Sequence, residues 1–125
     1  MMVVLLVGSG GFLGSAIRYL VGQWVLGLSG NSSFPYGTLA VNVLGCLAIG
    51  ILNGVAETRG VFNAEIRGLL FIGLLGGFTT FSSFSYETLT LARDGQVLPA
   101  FLNVVLQMAL CLGAVWAGYR LSHVA

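Results

Sequence analysis

The chain has 125 residues, 57% of them hydrophobic and only 7% charged: five Arg, no Lys, four acidic residues and one His, for a formal net charge of +1. A soluble domain carries about 25% charged residues, so this chain has too little charge to cover a globular surface. A net charge of +1 gives no field to steer a polyanion. A soluble enzyme domain, a nucleic-acid binder and a disordered chain are thereby excluded.

A hydrocarbon core about 30 Å thick requires about 20 apolar residues per helix. The apolar runs predict four such spans in one all-α membrane domain covering residues 1–125. Gly contributes 19 residues, about twice its usual share of roughly 7%, and Gly is frequent in membrane helices. Span one is expected over residues 3–28. Its opening Met1-Met2-Val3-Val4-Leu5-Leu6-Val7 has no basic stretch and no AxA-type cleavage signature, so it reads as part of the span and not as a removable signal. The segment Gly8-Ser9-Gly10-Gly11-Phe12-Leu13-Gly14 superficially matches a dinucleotide fingerprint. It fails because Leu13 stands where a Gly is needed and no acid follows about twenty residues on. Gly10 and Gly14 instead give a GxxxG face for close helix packing. Arg18, followed by Tyr19, is a functional candidate by its depth in the span; snorkelling towards the interface is the alternative.

Residues 29–35 hold Gly, Asn, Ser and Pro and are read as a turn. Span two is expected over residues 36–56, with Thr38, Asn42, Cys46, Ile49 and Asn53 on one face. The loop of Glu57-Thr58-Arg59-Gly60 leads to span three, residues 65–92. A straight helix of that length would measure about 42 Å at 1.5 Å per residue, too long for the hydrocarbon. At its middle lies Gly76-Gly77-Phe78-Thr79-Thr80-Phe81-Ser82-Ser83-Phe84-Ser85, and paired glycines before β-branched residues are poor helix material. A helix broken at mid-membrane is predicted, with a plain Gly kink as the alternative. Such a break is tolerable only if it is buried in protein or binds something, and transporters place ions at broken helices.

Phe78, Phe81 and Phe84 lie three apart and predict an aromatic ladder, either as packing or as ring edges turned to an anion. Glu87 sits near the end of span three, as a structural pairing partner or a transport residue. Arg93-Asp94-Gly95-Gln96 is a turn, and Pro99 suits the first turn of span four, expected over residues 98–120. There Asn103, Gln107 and Cys111 repeat every four residues. Together with Ser82, Ser83 and Ser85 these side chains form either interhelical glue or a polar track that donates hydrogen bonds without formal charge. Cys46 and Cys111 have no CxxC spacing and no nearby His, and are read as small packing residues. His123 is expected to be solvated. With no Ser/His/Asp set and no paired carboxylates, the chain is not expected to be an enzyme.

Gly10 to Gly14 with Arg18-Tyr19, Gly37 to Asn42 with Gly45, and Gly73 through Phe84 together resemble the CrcB/Fluc fluoride channels. The resemblance extends over nearly the whole chain, and Gly76-Gly77-Phe78-Thr79-Thr80-Phe81-Ser82-Ser83-Phe84 is its most specific part. It implies a multi-pass protein of the bacterial inner membrane, forming an antiparallel, dual-topology homodimer with two fluoride pores and a central structural sodium ion. Carried over by position, Asn42, Phe81 and Phe84 match pore residues. Ser83 adds a hydroxyl there, and Gln107 and Cys111 stand where hydroxyl or amide residues are expected. Gly76 and Thr79 match the positions whose backbone carbonyls hold the sodium.

Charge placement agrees with two orientations. Arg59, Arg67 and Arg120 lie towards one side and Arg93 and Arg18 towards the other, too small a bias to fix a single topology. The implied function is passive fluoride export, lowering fluoride inside the cell. A four-span drug–proton antiporter is the rival, but it needs a membrane-embedded acid, for which only Glu87 comes near. A non-transporting scaffold would leave the polar stripes unexplained.

Overall fold

The computed structural model describes residues 1–30 and 32–124; Asn31, within the expected 29–35 turn, and Ala125 lie outside the described residues. Every regular element among the described residues is helical. Helix α1 covers Met2–Leu28 and α2 covers Tyr36–Arg59. The third span divides into α3, residues 64–78, and α4, Phe81–Arg93, before α5 covers Val97–Val124. Four helical stretches, counting Ala64–Arg93 as one, are long and apolar enough to cross a membrane.

The ends follow local chemistry. Helix α2 runs past the expected stop at residue 56 to Arg59, because Gly60, at φ 59°, is the first residue free to take the left-handed conformation that ends a helix. Asn63 then caps α3, its Oδ1 accepting the Ile66 N–H at 2.9 Å. Pro99 falls within the first turn of α5 as expected, although α5 continues to Val124 and not to residue 120.

The third span is bent, but not where the glycines stand. Gly76–Phe78 remain helical. The extended residues are Thr79 (φ −83°, ψ 157°) and Thr80 (φ −150°, ψ 117°). Upstream, Gly68–Leu75 winds as a π-helix. Gly76 N–H reaches back five residues to the Phe71 carbonyl. The Gly-Leu-Leu-Phe-Ile-Gly-Leu-Leu run is apolar all round, so no periodicity announces those wide turns.

The glycines act in packing. A Cβ on Gly77 would lie 2.7 Å from the Gly11 carbonyl oxygen, and one on Gly73 2.7 Å from that of Val7. Gly10 and Gly14 face the same seam from α1: a Cβ on Gly10 would meet the Leu69 oxygen at 2.5 Å, and one on Gly14 the Phe78 nitrogen at 2.8 Å. Backbones therefore touch across the α1–α3 seam, as the GxxxG pattern predicts. Helices α2 and α5 pack side by side in the same direction. Asn42 meets Gln107, Gly50 meets Val115, and Gly54 meets Ser122, so contacts advance together along both.

This seam predicts a sharp asymmetry between glycines. Gly14→Ala is expected to cost about 1–3 kcal/mol through overpacking against backbone that cannot move aside. Gly113→Ala, whose new methyl meets nothing within 4 Å, should be neutral. Thermal unfolding in detergent checks the pair, and equal midpoints would contradict the packing account.

Candidate functional site

The break is held by one side chain. Asn42, on α2, accepts the Thr80 N–H on Oδ1 at 2.8 Å and donates from Nδ2 to the Thr80 carbonyl at 2.9 Å. An amide that pairs with both an N–H and a C=O of one residue has only one orientation. Asn42 Nδ2 also donates to Gln107 Oε1 at 3.2 Å. With its oxygen so engaged, Gln107 turns its Nε2 elsewhere, and that buried nitrogen has no hydrogen-bond partner in the protein. Leaving such a donor unpaired costs about 1–3 kcal/mol.

Thr80 also starts α4. Its Oγ1 accepts the Ser83 N–H at 3.2 Å and donates to Ser83 Oγ at 3.1 Å. Carbonyls lose their usual helical partners in consequence, those of Gly76 and Thr79 among them. Thr80 N–H goes to Asn42 and not to Gly76, and Ser83 N–H goes to Thr80 Oγ1 and not to Thr79.

Asn42, Gln107 and Cys111 share an open cleft of about 330 Å³ with Gly76, Thr79, Thr80, Phe81 and Phe84. No charged residue lines it. Phe84 is buried, whereas Phe81 is 70% exposed, and their ring centroids stand 5.2 Å apart at 63°, edge towards face. Cys111 donates weakly to Gln107 Oε1 at 3.8 Å. Seven of the eight site residues named from the sequence thus converge on one cleft.

Ser83 is the exception. It lines a second cavity of about 340 Å³, with Arg18, Thr38 and Thr80. Thr80 borders both cavities and separates them. The sequence reading missed Thr80 as a site residue. Its signal was present in the Thr-x-x-Ser spacing ahead of a helix, a capping pattern.

Other expectations are corrected. Phe78 does not extend the aromatic ladder; the two extended residues after it break helical phase, and its ring lies beside Gly45 of α2. Asn53 bonds back to Ile49 of its own helix at 3.0 Å. Asn103 is fully buried and donates to Thr88 Oγ1 at 2.9 Å, so of the two readings of its stripe it takes that of interhelical glue. His123 is exposed, as expected, with its Nδ1 2.9 Å from the Tyr119 carbonyl and its Nε2 3.9 Å from Glu57. That is the one salt bridge among the described residues, so neither Arg18 nor Glu87 has an ionic partner there, and Glu87 Oε1 is buried without a hydrogen bond.

A spanning helix bundle with an uncharged cleft at a helix break points to a transport protein, and comparison with known proteins gives the family. Residues 5–119 match the model of the CrcB-like protein, Camphor Resistance (CrcB) family. The chain belongs to this family. Among its curated relatives is a protein of Geobacter sulfurreducens, 47% identical over 118 residues and 94% of each chain. One of Rhizobium etli is 44% identical over 123 residues, 98% of each chain. A third, of Elusimicrobium minutum, is 47% identical over 121 residues, 95% of this chain and 92% of the relative. Each of the three is named a fluoride-specific ion channel. The family assignment, with four apolar helices, makes this a multi-pass membrane protein of a bacterial type. It lends no support to the drug–proton antiporter.

Proposed function

We propose that this chain conducts fluoride passively and selectively across the bacterial inner membrane, as its relatives' names state of them. The observation that carries the reading onto these residues is the buried, unpartnered Gln107 Nε2. An anion in the cleft would accept from it and relieve the cost of an orphaned donor. Phe81 and Phe84 offer positively polarised ring edges beside it. All of these groups are neutral, which suits conduction, because an ion must leave as readily as it enters.

The cleft is open, and Phe81 at its mouth is exposed beside Asn42 and Gln107. An ion could not cross in a cleft open to hydrocarbon, where charge is costly, so a second copy closes it. The near-balanced arginines favour an antiparallel mate and insertion in both orientations. Gly76 and Thr79 would then present their released carbonyls from both subunits to one sodium ion. Hard, uncharged oxygens fit that ion: no cluster of three or more His, Cys, Asp or Glu stands among the described residues to hold a metal otherwise. The sodium would put positive charge at a depth where Arg or Lys is costly.

Fluoride efflux from liposomes holding the purified protein tests the function, with chloride efflux as the comparison. Rapid fluoride release with chloride retained is the expected result; absence of fluoride release by folded protein would sink the reading. Exhaustive exchange of sodium for a large organic cation in the same liposomes should abolish release. Single-sided labelling of a cysteine introduced at a terminus would exclude the dual topology.

A further inference from the structure

Cys46 and Cys111 were separate packing residues in the sequence, but the fold brings them together. Helices α2 and α5 run parallel, and Asn42 touches Gln107. Four residues on, along each helix, stand Cys46 and Cys111, one turn beyond that contact on the same faces. Both are free and half-buried, and both line the cleft that contains Phe81, Phe84 and Gln107. Met108 adds a thioether sulfur to the same wall.

We propose that Cys46 and Cys111 form a binding site for a soft, two-coordinate divalent cation of the Hg(II) type, and that its occupation closes the cleft. Thiolate is the ligand form of cysteine, and soft metals select it. The step is an exchange: each S–H bond breaks, two S–Hg bonds form, and two protons leave to solvent for each Hg(II) bound. No oxidant is needed. The product carries no net charge, which matters in a cleft without charged residues, where an unpaired ion is expensive to bury. A monovalent soft ion held by both thiolates would leave one negative charge there. Zn(II) prefers four ligands in a tetrahedron, and no third His, Cys, Asp or Glu joins the pair among the described residues. Bridging removes the Cys111 S–H from Gln107 Oε1 and places a heavy atom between α2 and α5 beside the aromatic pair.

Closure of the cleft to fluoride rests on the proposed function; binding does not. The test uses reduced, full-length protein in liposomes, with HgCl2 added at one equivalent per chain. Denatured, non-reduced chains are expected to show an intact mass increased by one Hg and decreased by two hydrogens, with both thiols lost to a thiol reagent. ZnCl2 at the same ratio should leave both thiols titratable. Loss of only one thiol per Hg(II), or a mass corresponding to two chains joined by metal, would overturn the site. Fluoride efflux should stop with the metal and return on adding a dithiol. Unchanged efflux from chains that have gained Hg(II) would overturn closure. Liposomes silent before any metal would indict the fluoride reading instead, and the mass would still decide the site.

Discussion

Gln107→Met is expected to slow fluoride efflux sharply while leaving the bundle as stable as the parent. The two effects separate because the two ends of the Gln107 amide do different work. Its oxygen accepts from Asn42 Nδ2, but that nitrogen keeps its bond to the Thr80 carbonyl when Gln107 is gone. The loss of this neutral hydrogen bond costs about 0.5–1.5 kcal/mol, and the weak Cys111 S–H bond to the same oxygen goes with it. Against it stands removal of an unpartnered buried nitrogen, which relieves about 1–3 kcal/mol. The balance is near zero or slightly stabilising. For the anion the sum is different. A hydrogen bond to a charged group contributes about 1.5–3 kcal/mol, so its loss at the barrier slows passage about ten- to a hundredfold. Efflux from liposomes and thermal unfolding in detergent read the two sides independently. A variant that unfolds early, or one that conducts like the parent, would show that Gln107 is glue.

Part of this architecture is written in local patterns and part is not. Four spans follow from apolar run length, and the α1–α3 seam from Gly10 and Gly14, because both depend on residues close in sequence. The polar stripes put Asn42 on one face of span two and Gln107 with Cys111 on one face of span four; that these faces meet is known only from the fold. The position of the break was legible only approximately. Gly76 and Gly77 read as helix breakers by propensity, but both stay helical, and the missing side chain of Gly77 is used in tertiary contact with Gly11. The interruption falls instead at Thr79 and Thr80, where a partner 38 residues away replaces the helical bonds. No local pattern records such a partner. The π-helical turns of Gly68–Leu75 were invisible for a different reason: an all-apolar run has no phase to measure. The proximity of Cys46 and Cys111 was likewise hidden, since it requires the parallel register of α2 and α5.

Asn42→Leu is expected to destabilise the fold strongly and not merely to slow the flux. In the parent, the Asn42 amide replaces the helical hydrogen bonds that α3 and α4 give up where they separate. It takes the Thr80 N–H, supplies the Thr80 carbonyl, and reaches Gln107 Oε1. Leu matches the volume and supplies none of these bonds. Thr80 N–H would then be buried without a partner, since Thr80 is only 8% exposed. The Thr80 carbonyl keeps the first helical bond of α4, which it accepts as the cap residue, and Gln107 Oε1 keeps the weak Cys111 donor. At about 1–3 kcal/mol for the orphaned donor and about 0.5–1.5 kcal/mol for each of the two other bonds lost, the total is about 2–6 kcal/mol, a large share of the stability of a typical domain at about 5–15 kcal/mol. Asn42→Asp should lie between the two. One carboxylate oxygen still accepts the Thr80 N–H, but the other faces the Thr80 carbonyl and Gln107 Oε1, with nothing to donate while it is ionised. The measurement is the yield of monodisperse protein after detergent extraction and its unfolding temperature, ranked parent, Asp, Leu. Parent-like unfolding of Asn42→Leu would mean that water or lipid headgroups satisfy Thr80, and that the break is open to solvent instead of being locked by α2.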